Sequence, residues 1–465
     1  MSIYAYTLFD KNIVLDIGSG SVHVVDPVAY AAITQWAQTP EKAALRTALQ
    51  AQFPQEPPEE FDLLLEEINV LVQRGKLFAP EAAAGLDYAT LAAQKRATRP
   101  DSVKALCLHV AHTCNLACEY CFAKAGNYNG AAALMPFSVG KRALDFLIEQ
   151  SGAHKNLEVD FFGGEPLMNW PVVKQLVAYA RSLEAAHNKR FRFTLTTNGV
   201  LLDDEVTAFC NREMENVVLS LDGRKEIHDR LRRFPGQGGG GSYDLVVPKF
   251  QRFAAARAAA GKSYYMRGTF THANPDFCAD VLHMAALGFH ALSMEPVVCA
   301  ADSPHALTQD DLRTVMAAYE QLAREMAKRA GAPEAFTFYH YTLDLQHGPC
   351  LYKRVTGCGS GTQYLAVTPE GALYPCHQFV GEARFCMGDV WQGVTNHALR
   401  AEFGECDLYS RPECRECWAR LYCSGGCAAN AYHACGNING IYPTGCELFR
   451  KRMECAIWLA SEGGG

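Results

Sequence analysis

Three cysteines sit close together in His112-Thr113-Cys114-Asn115-Leu116-Ala117-Cys118-Glu119-Tyr120-Cys121-Phe122, with three and then two residues between them. Three thiolates on one short loop suit an iron–sulfur cube and leave one iron without a protein ligand. Such an iron can chelate a second molecule, whereas a four-thiolate site is closed and structural. A second concentration of cysteine lies near the C-terminus. Cys358 and Cys376 flank Gly371, then Cys414, Cys417, Cys423 and Cys427 read C-x2-C-x5-C-x3-C, and Cys446 follows in Thr444-Gly445-Cys446. Two pairs separated by a loop also fit a zinc ribbon, so a zinc-binding scaffold without catalysis is the alternative of another class. Cys386, Cys406, Cys435 and Cys455 fall outside the pattern and read mostly as ordinary buried thiols.

The chain has 465 residues and 19 cysteines, none before Cys107. That is too many thiols for an average intracellular protein, and the chain is too long for a disulfide-stapled secreted scaffold, so metal or catalysis is the expectation. A net charge of −7 argues against nucleic acid as the main partner, which would need a basic surface. No apolar run is long enough to span a bilayer. The start, MSIYAYTLFDKN, lacks a charged stretch followed by an apolar core, so a cytoplasmic location is expected.

The elements that must position these thiols fall into three regions. Asn12–Asp16 and Val22–Asp26 around Gly18-Ser19-Gly20 predict a hairpin. Helices are predicted at Pro27–Gln38, Glu41–Gln52 and Pro58–Arg74, the last with a stripe of Phe61, Leu64, Leu65, Ile68 and Leu71. Leu77-Phe78 is a candidate closing strand. Residues 1–79 make one domain and the Ala-rich stretch 80–102 a linker. From 103 to 335, strands are expected at Ala105–Val110, Leu157–Phe161, Phe191–Thr196, Asn216–Leu221, Ser263–Phe270 and Ala291–Val297. Helices lie between them, among them Ser138–Gln150, Trp170–Ala185 and Tyr243–Ala259. This is an α/β fold with a parallel sheet, open or partly closed into a (β/α)6 barrel, and such folds place chemistry at the C-terminal ends of the strands. Gly236–Gly241 reads as a flexible loop and not a phosphate motif. The region 336–465 is rich in Cys, Gly and Pro with little periodicity, and needs metal or crosslinks to hold it.

The first loop resembles the CxxxCxxC signature of the radical S-adenosylmethionine (SAM) superfamily, with Tyr120 as the aromatic before the last Cys. The resemblance implies that Cys114, Cys118 and Cys121 hold a [4Fe–4S] cluster whose open iron chelates SAM. An electron from that cluster then yields a 5′-deoxyadenosyl radical. Phe161-Phe162-Gly163-Gly164-Glu165-Pro166 resembles the family's GGEP motif, placing Gly163, Gly164 and Glu165 near the SAM ammonium. Thr197 and Asn198, then Ser220 and Asp222, end the next two strands and resemble further SAM contacts. Arg233 is the candidate for the SAM carboxylate, with Arg232 close behind.

The C-terminal cysteines resemble the SPASM domain, which carries two auxiliary [4Fe–4S] clusters, three in all. The resemblance assigns Cys414, Cys417, Cys423 and Cys446 to the distal cluster. It assigns Cys358, Cys376 and Cys427 to the proximal one, with Cys350 as a fourth ligand or, if unbound, an iron left free for a substrate thiolate. The hairpin and three helices resemble a PqqD-like winged-helix module, in which a leader peptide adds a strand to the sheet edge. As a whole the chain is similar to SCIFF and related ranthipeptide or sactipeptide maturases. This implies thioether formation in a Cys-containing precursor peptide, with an electron donor such as flavodoxin or ferredoxin. Formylglycine formation and C–C crosslinking are the alternatives within the same superfamily.

Overall fold

The computed structural model describes residues 2–36, 41–80, 102–236, 238–300, 302–343 and 351–463, with residues 90, 93, 94, 97 and 345. Most of the expected linker, and Cys350, lie outside the described residues.

The chain opens with three antiparallel strands, β1 (Ile3–Leu8), β2 (Lys11–Asp16) and β3 (Val22–Val25), in that spatial order. The hairpin expected from sequence is β2–β3, and β1 is an additional strand paired along its whole length with β2. Alternate residues of β2 serve two cores. Val14 packs with Ile33, Leu49, Phe61 and Leu65 from the helices α1 (Pro27–Trp36), α2 (Lys42–Gln52) and α3 (Pro58–Gln73). Ile13 and Leu15 join the main core of the protein. Leu77-Phe78 does not form a strand. Leu77 is buried and Phe78 takes a positive φ of 53°. The fully buried Asp16 accepts hydrogen bonds from the Ala79 and Ser19 backbone amides, at 3.1 and 2.8 Å, and so pins the end of this unit.

The main sheet runs in the order β11-β10-β9-β8-β7-β6-β4-β12 with all neighbours parallel, and continues antiparallel through β13 (Ala372–Tyr374), β14 (Gly388–Asp389) and β15 (Gly393–Val394). The strands are β4 (Ala105–His112), β6 (Asn156–Gly163), β7 (Arg190–Thr197), β8 (Met214–Ser220), β9 (Ser263–Phe270), β10 (Ala291–Pro296), β11 (Thr337–Phe338) and β12 (Tyr364–Val367). A two-residue strand, β5 (Ala133–Leu134), flanks β4. The sheet has two ends and is open. All six expected strands are present within a residue or two. Every residue of β4 is buried, as a strand covered on both faces must be. Phe146, Leu176, Phe250 and Phe253, from the helices Phe137–Gln150, Trp170–His187 and Tyr243–Ala259, fill one side of the sheet.

The Cys-rich region joins this body through β12, which pairs with β4, and through the C-terminal helix Pro443–Ser461. That helix also carries the N-terminal sheet. The Tyr6 hydroxyl donates to the Glu454 carbonyl at 3.1 Å, and Phe9 meets Trp458 edge-on with ring centroids 4.7 Å apart. Tyr4 stacks on Trp418 at 4.1 Å with the rings within 5° of parallel, an arrangement that adds about 0.5–1.5 kcal/mol to the area buried. One face of strand β1 is therefore covered, whereas the edge strand β3 carries the exposed Val24. Among the described residues, no helix is long and apolar enough to cross a membrane.

Candidate active site

The loops after β4, β6, β7 and β8 lie together because the parallel strands all end on the same side. The cysteine loop packs backbone to backbone on the loop after β6. The Gly164 amide donates to the Ala111 carbonyl at 2.7 Å, and the Glu165 amide to Thr113 at 2.9 Å. Side chains are excluded here. A Cβ on Gly163, whose φ is +124°, would fall on the Ala111 carbonyl oxygen, and one on Gly164 would fall on that of Thr113. The paired glycines thus hold the thiol loop against the strand end.

Glu165 is buried and accepts three hydrogen bonds: from the Leu167 amide at 3.0 Å, the Asn198 amide at 2.8 Å and the Thr197 hydroxyl at 2.8 Å. Burial nonetheless pushes its carboxyl up to about 7, with those donors pulling the other way. A cation docked beside it would restore the charge. Asn198 reaches back to the cysteine loop, its Nδ2 donating to Asn115 Oδ1 at 2.8 Å.

Asp222 is placed differently from the sequence expectation. It is fully buried and does not line the cavity. Its carboxylate accepts from Arg232 Nε at 2.8 Å and Nη2 at 3.1 Å, from the Tyr120 hydroxyl at 2.7 Å and from the Thr269 amide at 2.9 Å. It therefore fixes Arg232 and the cysteine loop and leaves no lone pair for a ligand. Arg232 is buried and lines the cavity, with its guanidinium 5.6 Å from the Tyr120 ring centroid. Arg233 is exposed and does not line it. The reason is local: the helix Lys225–Leu231 ends just before them, and the two side chains leave the turn in different directions.

A single cavity of about 950 Å³ collects these groups. Cys114, Cys118 and Cys121 line it with Gly163, Gly164, Glu165, Thr197, Asn198 and Ser220. Cys358, Cys376, Cys414, Cys417, Cys423, Cys427 and Cys446 line it too. The C-terminal thiols fall into two sets. Cys423 is pushed up to about 12 by burial and then by its neighbours Cys446, Cys414 and Cys417, and Cys414 up to about 11 by burial, opposed by Arg411. Cys376 is raised by burial and by Cys427 and Cys358. Of the remaining cysteines, Cys455 is buried, Cys386 and Cys406 are half-buried and Cys435 is exposed. Arg267, Glu295 and His377 also line the cavity. The sequence reading missed them, because no motif marks an inward-facing residue within a strand, as Arg267 and Glu295 are, or in the short turn after Cys376 that holds His377.

The donor set fits iron–sulfur clusters. Cys114 is pushed up to about 11 and Cys118 to about 12 by burial, so thiolates here need a metal's charge, and they face an open cavity. Among the described residues no three His, Cys, Asp or Glu side chains are placed to hold one metal ion. A cube spreads its thiolates over separate irons and does not need that tighter convergence.

The family model for the Radical SAM superfamily matches residues 108–246. A Methanocaldococcus jannaschii protein of unassigned function is 31% identical over 134 residues, 29% of this chain and 43% of that one. The PqqA peptide cyclase of Gluconobacter oxydans is 25% identical, over 77% of this chain and 95% of its own. Among solved structures, anSMEcpe with bound AdoMet superposes with a TM-score of 0.59 at 20% identity, over 77% of this chain and 98% of that one. SuiB of Streptococcus suis bound to its precursor peptide SuiA gives 0.53 at 15% identity, over 92% and 95%. These two likenesses are of fold. Taken with the thiol loop and the strand-end contacts, the match over 108–246 identifies that segment as a member of the radical SAM superfamily.

Proposed function

We propose that this chain is a peptide maturase that joins a Cys sulfur of a ribosomally made precursor to a carbon of another residue. The observation that carries the reading is the shared cavity. The thiol trio and the SAM loops line it together with both C-terminal cysteine sets. A peptide lying between them touches the source of the radical and an electron acceptor at once. The similarity to a peptide cyclase and to SuiB with its precursor supports a peptide substrate.

In this reading residues 1–79 are a PqqD-like leader-binding domain, 80–102 a linker, 103–335 the radical SAM core and 336–465 a SPASM domain. Cys114, Cys118 and Cys121 would hold a cluster that would supply the electron for reductive cleavage of SAM, and with it the capacity to take a hydrogen atom from the peptide. The chain's own residues do the rest. Glu165 would receive the SAM ammonium, and Arg232, held by Asp222, would meet its carboxylate. Tyr120, bonded to the same Asp222, keeps the cysteine loop in register. Cys358, Cys376 and Cys427 hold the proximal cluster and Cys414, Cys417, Cys423 and Cys446 the distal one. Cys350 is the remaining candidate for the proximal set. The leader adds to β3, the edge strand on which Val24 is exposed.

The conversion balances. The peptide loses a C–H and an S–H hydrogen with two electrons, reductive cleavage of SAM takes up two electrons and one proton, and one proton is released. The test is anaerobic incubation of the reconstituted enzyme with SAM, reductant and a Cys-containing precursor peptide sought among the neighbouring genes. A mass loss of two hydrogens with a fragmentation gap between a Cys and a second residue supports the reading. Conversion of a Cys or Ser to formylglycine, or a C–C link that leaves the thiol free to alkylation, excludes it.

A further inference from the structure

Arg411 lies three residues before Cys414 and is only 2% exposed. Its Nη1 donates to the Gly425 carbonyl, and its Nη2 donates to the Ile438 carbonyl at 2.7 Å and to Cys406 Sγ at 3.1 Å. Its Nε is buried without a partner. No carboxylate among the described residues pairs with it, in contrast to Arg232 and its Asp222. A guanidinium removed from water and left without a counter-charge is strongly unfavourable. Among the described residues its one side-chain partner is a thiol, that of Cys406.

The neighbours belong to both C-terminal sets. The Arg411 carbonyl accepts from the Cys414 amide at 3.1 Å, the Gly425 carbonyl that takes its Nη1 lies between Cys423 and Cys427, and Arg411 lines a second cavity together with Cys358. The Ser424-Gly425-Gly426 turn between Cys423 and Cys427 is shaped around it. Gly425 has φ +81°, and a Cβ there would stand 2.6 Å from Arg411 Nη1. The turn that separates a thiol of one set from a thiol of the other is therefore also the turn that admits the guanidinium.

We propose that Arg411 is a counter-cation shared by the two C-terminal cysteine sets, offsetting the charge of the clusters they hold and raising the reduction potential of each. It is a positioning residue and touches no substrate. The inference rests on the assignment of clusters to these thiols made above. Net charge and hydrogen bonds near the sulfurs set cluster potentials, and a reduced cluster, being more negative, gains more from a nearby cation than an oxidised one.

The experiment uses full-length protein reconstituted anaerobically as wild type, Arg411→Gln and Arg411→Lys. Iron and sulfide are assayed and each cluster is titrated by potential-controlled electron paramagnetic resonance. In Arg411→Gln the midpoints of the two C-terminal clusters move to more negative potential, the cluster on Cys114, Cys118 and Cys121 stays where it was, and Arg411→Lys returns toward wild type. Should Arg411→Gln fail to retain those clusters, retention by Arg411→Lys supports the role of charge and loss in both variants overturns it. Unchanged midpoints in Arg411→Gln with full cluster content also overturn it. A wild-type protein that binds iron only at the N-terminal trio would instead remove the cluster assignment itself.

Discussion

Replacing Asp222 by Asn tests the geometry of the SAM site with no change of size. Asp222 is wholly buried and takes two hydrogen bonds from Arg232 and one each from Tyr120 and the Thr269 amide. Asparagine offers one neutral oxygen and two donors, so the guanidinium keeps its charge and loses its partner. Breaking a buried pair from one side costs about 3–5 kcal/mol. That corresponds to a melting temperature lower by on the order of 10 °C. Removing both charges in Asp222→Asn/Arg232→Met costs less than the sum of the single changes, because no buried charge is left behind. The same variant releases the Tyr120 hydroxyl, and with it the loop between Cys118 and Cys121, so SAM affinity falls as well. The assays are thermal melting and calorimetric titration of SAM into anaerobically reconstituted protein. An Asp222→Asn protein that melts with wild type and binds SAM equally well refutes the positioning role.

Other outcomes follow from the same structure. Gly164→Ala drives a methyl group onto the Thr113 carbonyl, an overpacking that costs about 1–3 kcal/mol, and iron analysis should show the N-terminal cluster lost before the others. Burial raises Glu165 from 4.5 to about 7. The folded, SAM-free protein thus holds this proton more tightly than the unfolded chain, and the stabilisation is full below pH 4.5 and is lost as pH rises through about 7. Glu165→Gln should flatten that part of the stability–pH curve by about 3 kcal/mol while weakening SAM binding, and an unchanged pH profile counts against it. Val24→Asp on the exposed edge strand should weaken precursor binding at least tenfold by fluorescence anisotropy and leave uncoupled SAM cleavage intact. Equal affinity would place the leader elsewhere.

Much of the site was readable because parallel strands put their C-terminal ends side by side. A cysteine loop after β4, a Gly-Gly-Glu after β6 and polar pairs after β7 and β8 had to converge once the strands were recognised. What escaped recognition depended on long-range packing. Strand β1 was missed because IYAYTL faces the N-terminal helices on one side and the C-terminal helix on the other, which blurs the alternation that marks a half-exposed strand. The choice between Arg232 and Arg233 turned on where a seven-residue helix stops. Asp222 looked like a ligand contact from its strand-end position, yet four donors from three distant segments already saturate it. Arg411 carries no motif at all, and only its burial among thiols sets it apart.

The most direct test of the shared-cavity account is cluster content and SAM cleavage compared in wild type and Cys118→Ala after anaerobic reconstitution. Wild type should hold three four-iron clusters and make 5′-deoxyadenosine, whereas Cys118→Ala should keep the two C-terminal clusters and make none. A colourless zinc protein, or undiminished deoxyadenosine from Cys118→Ala, would contradict it.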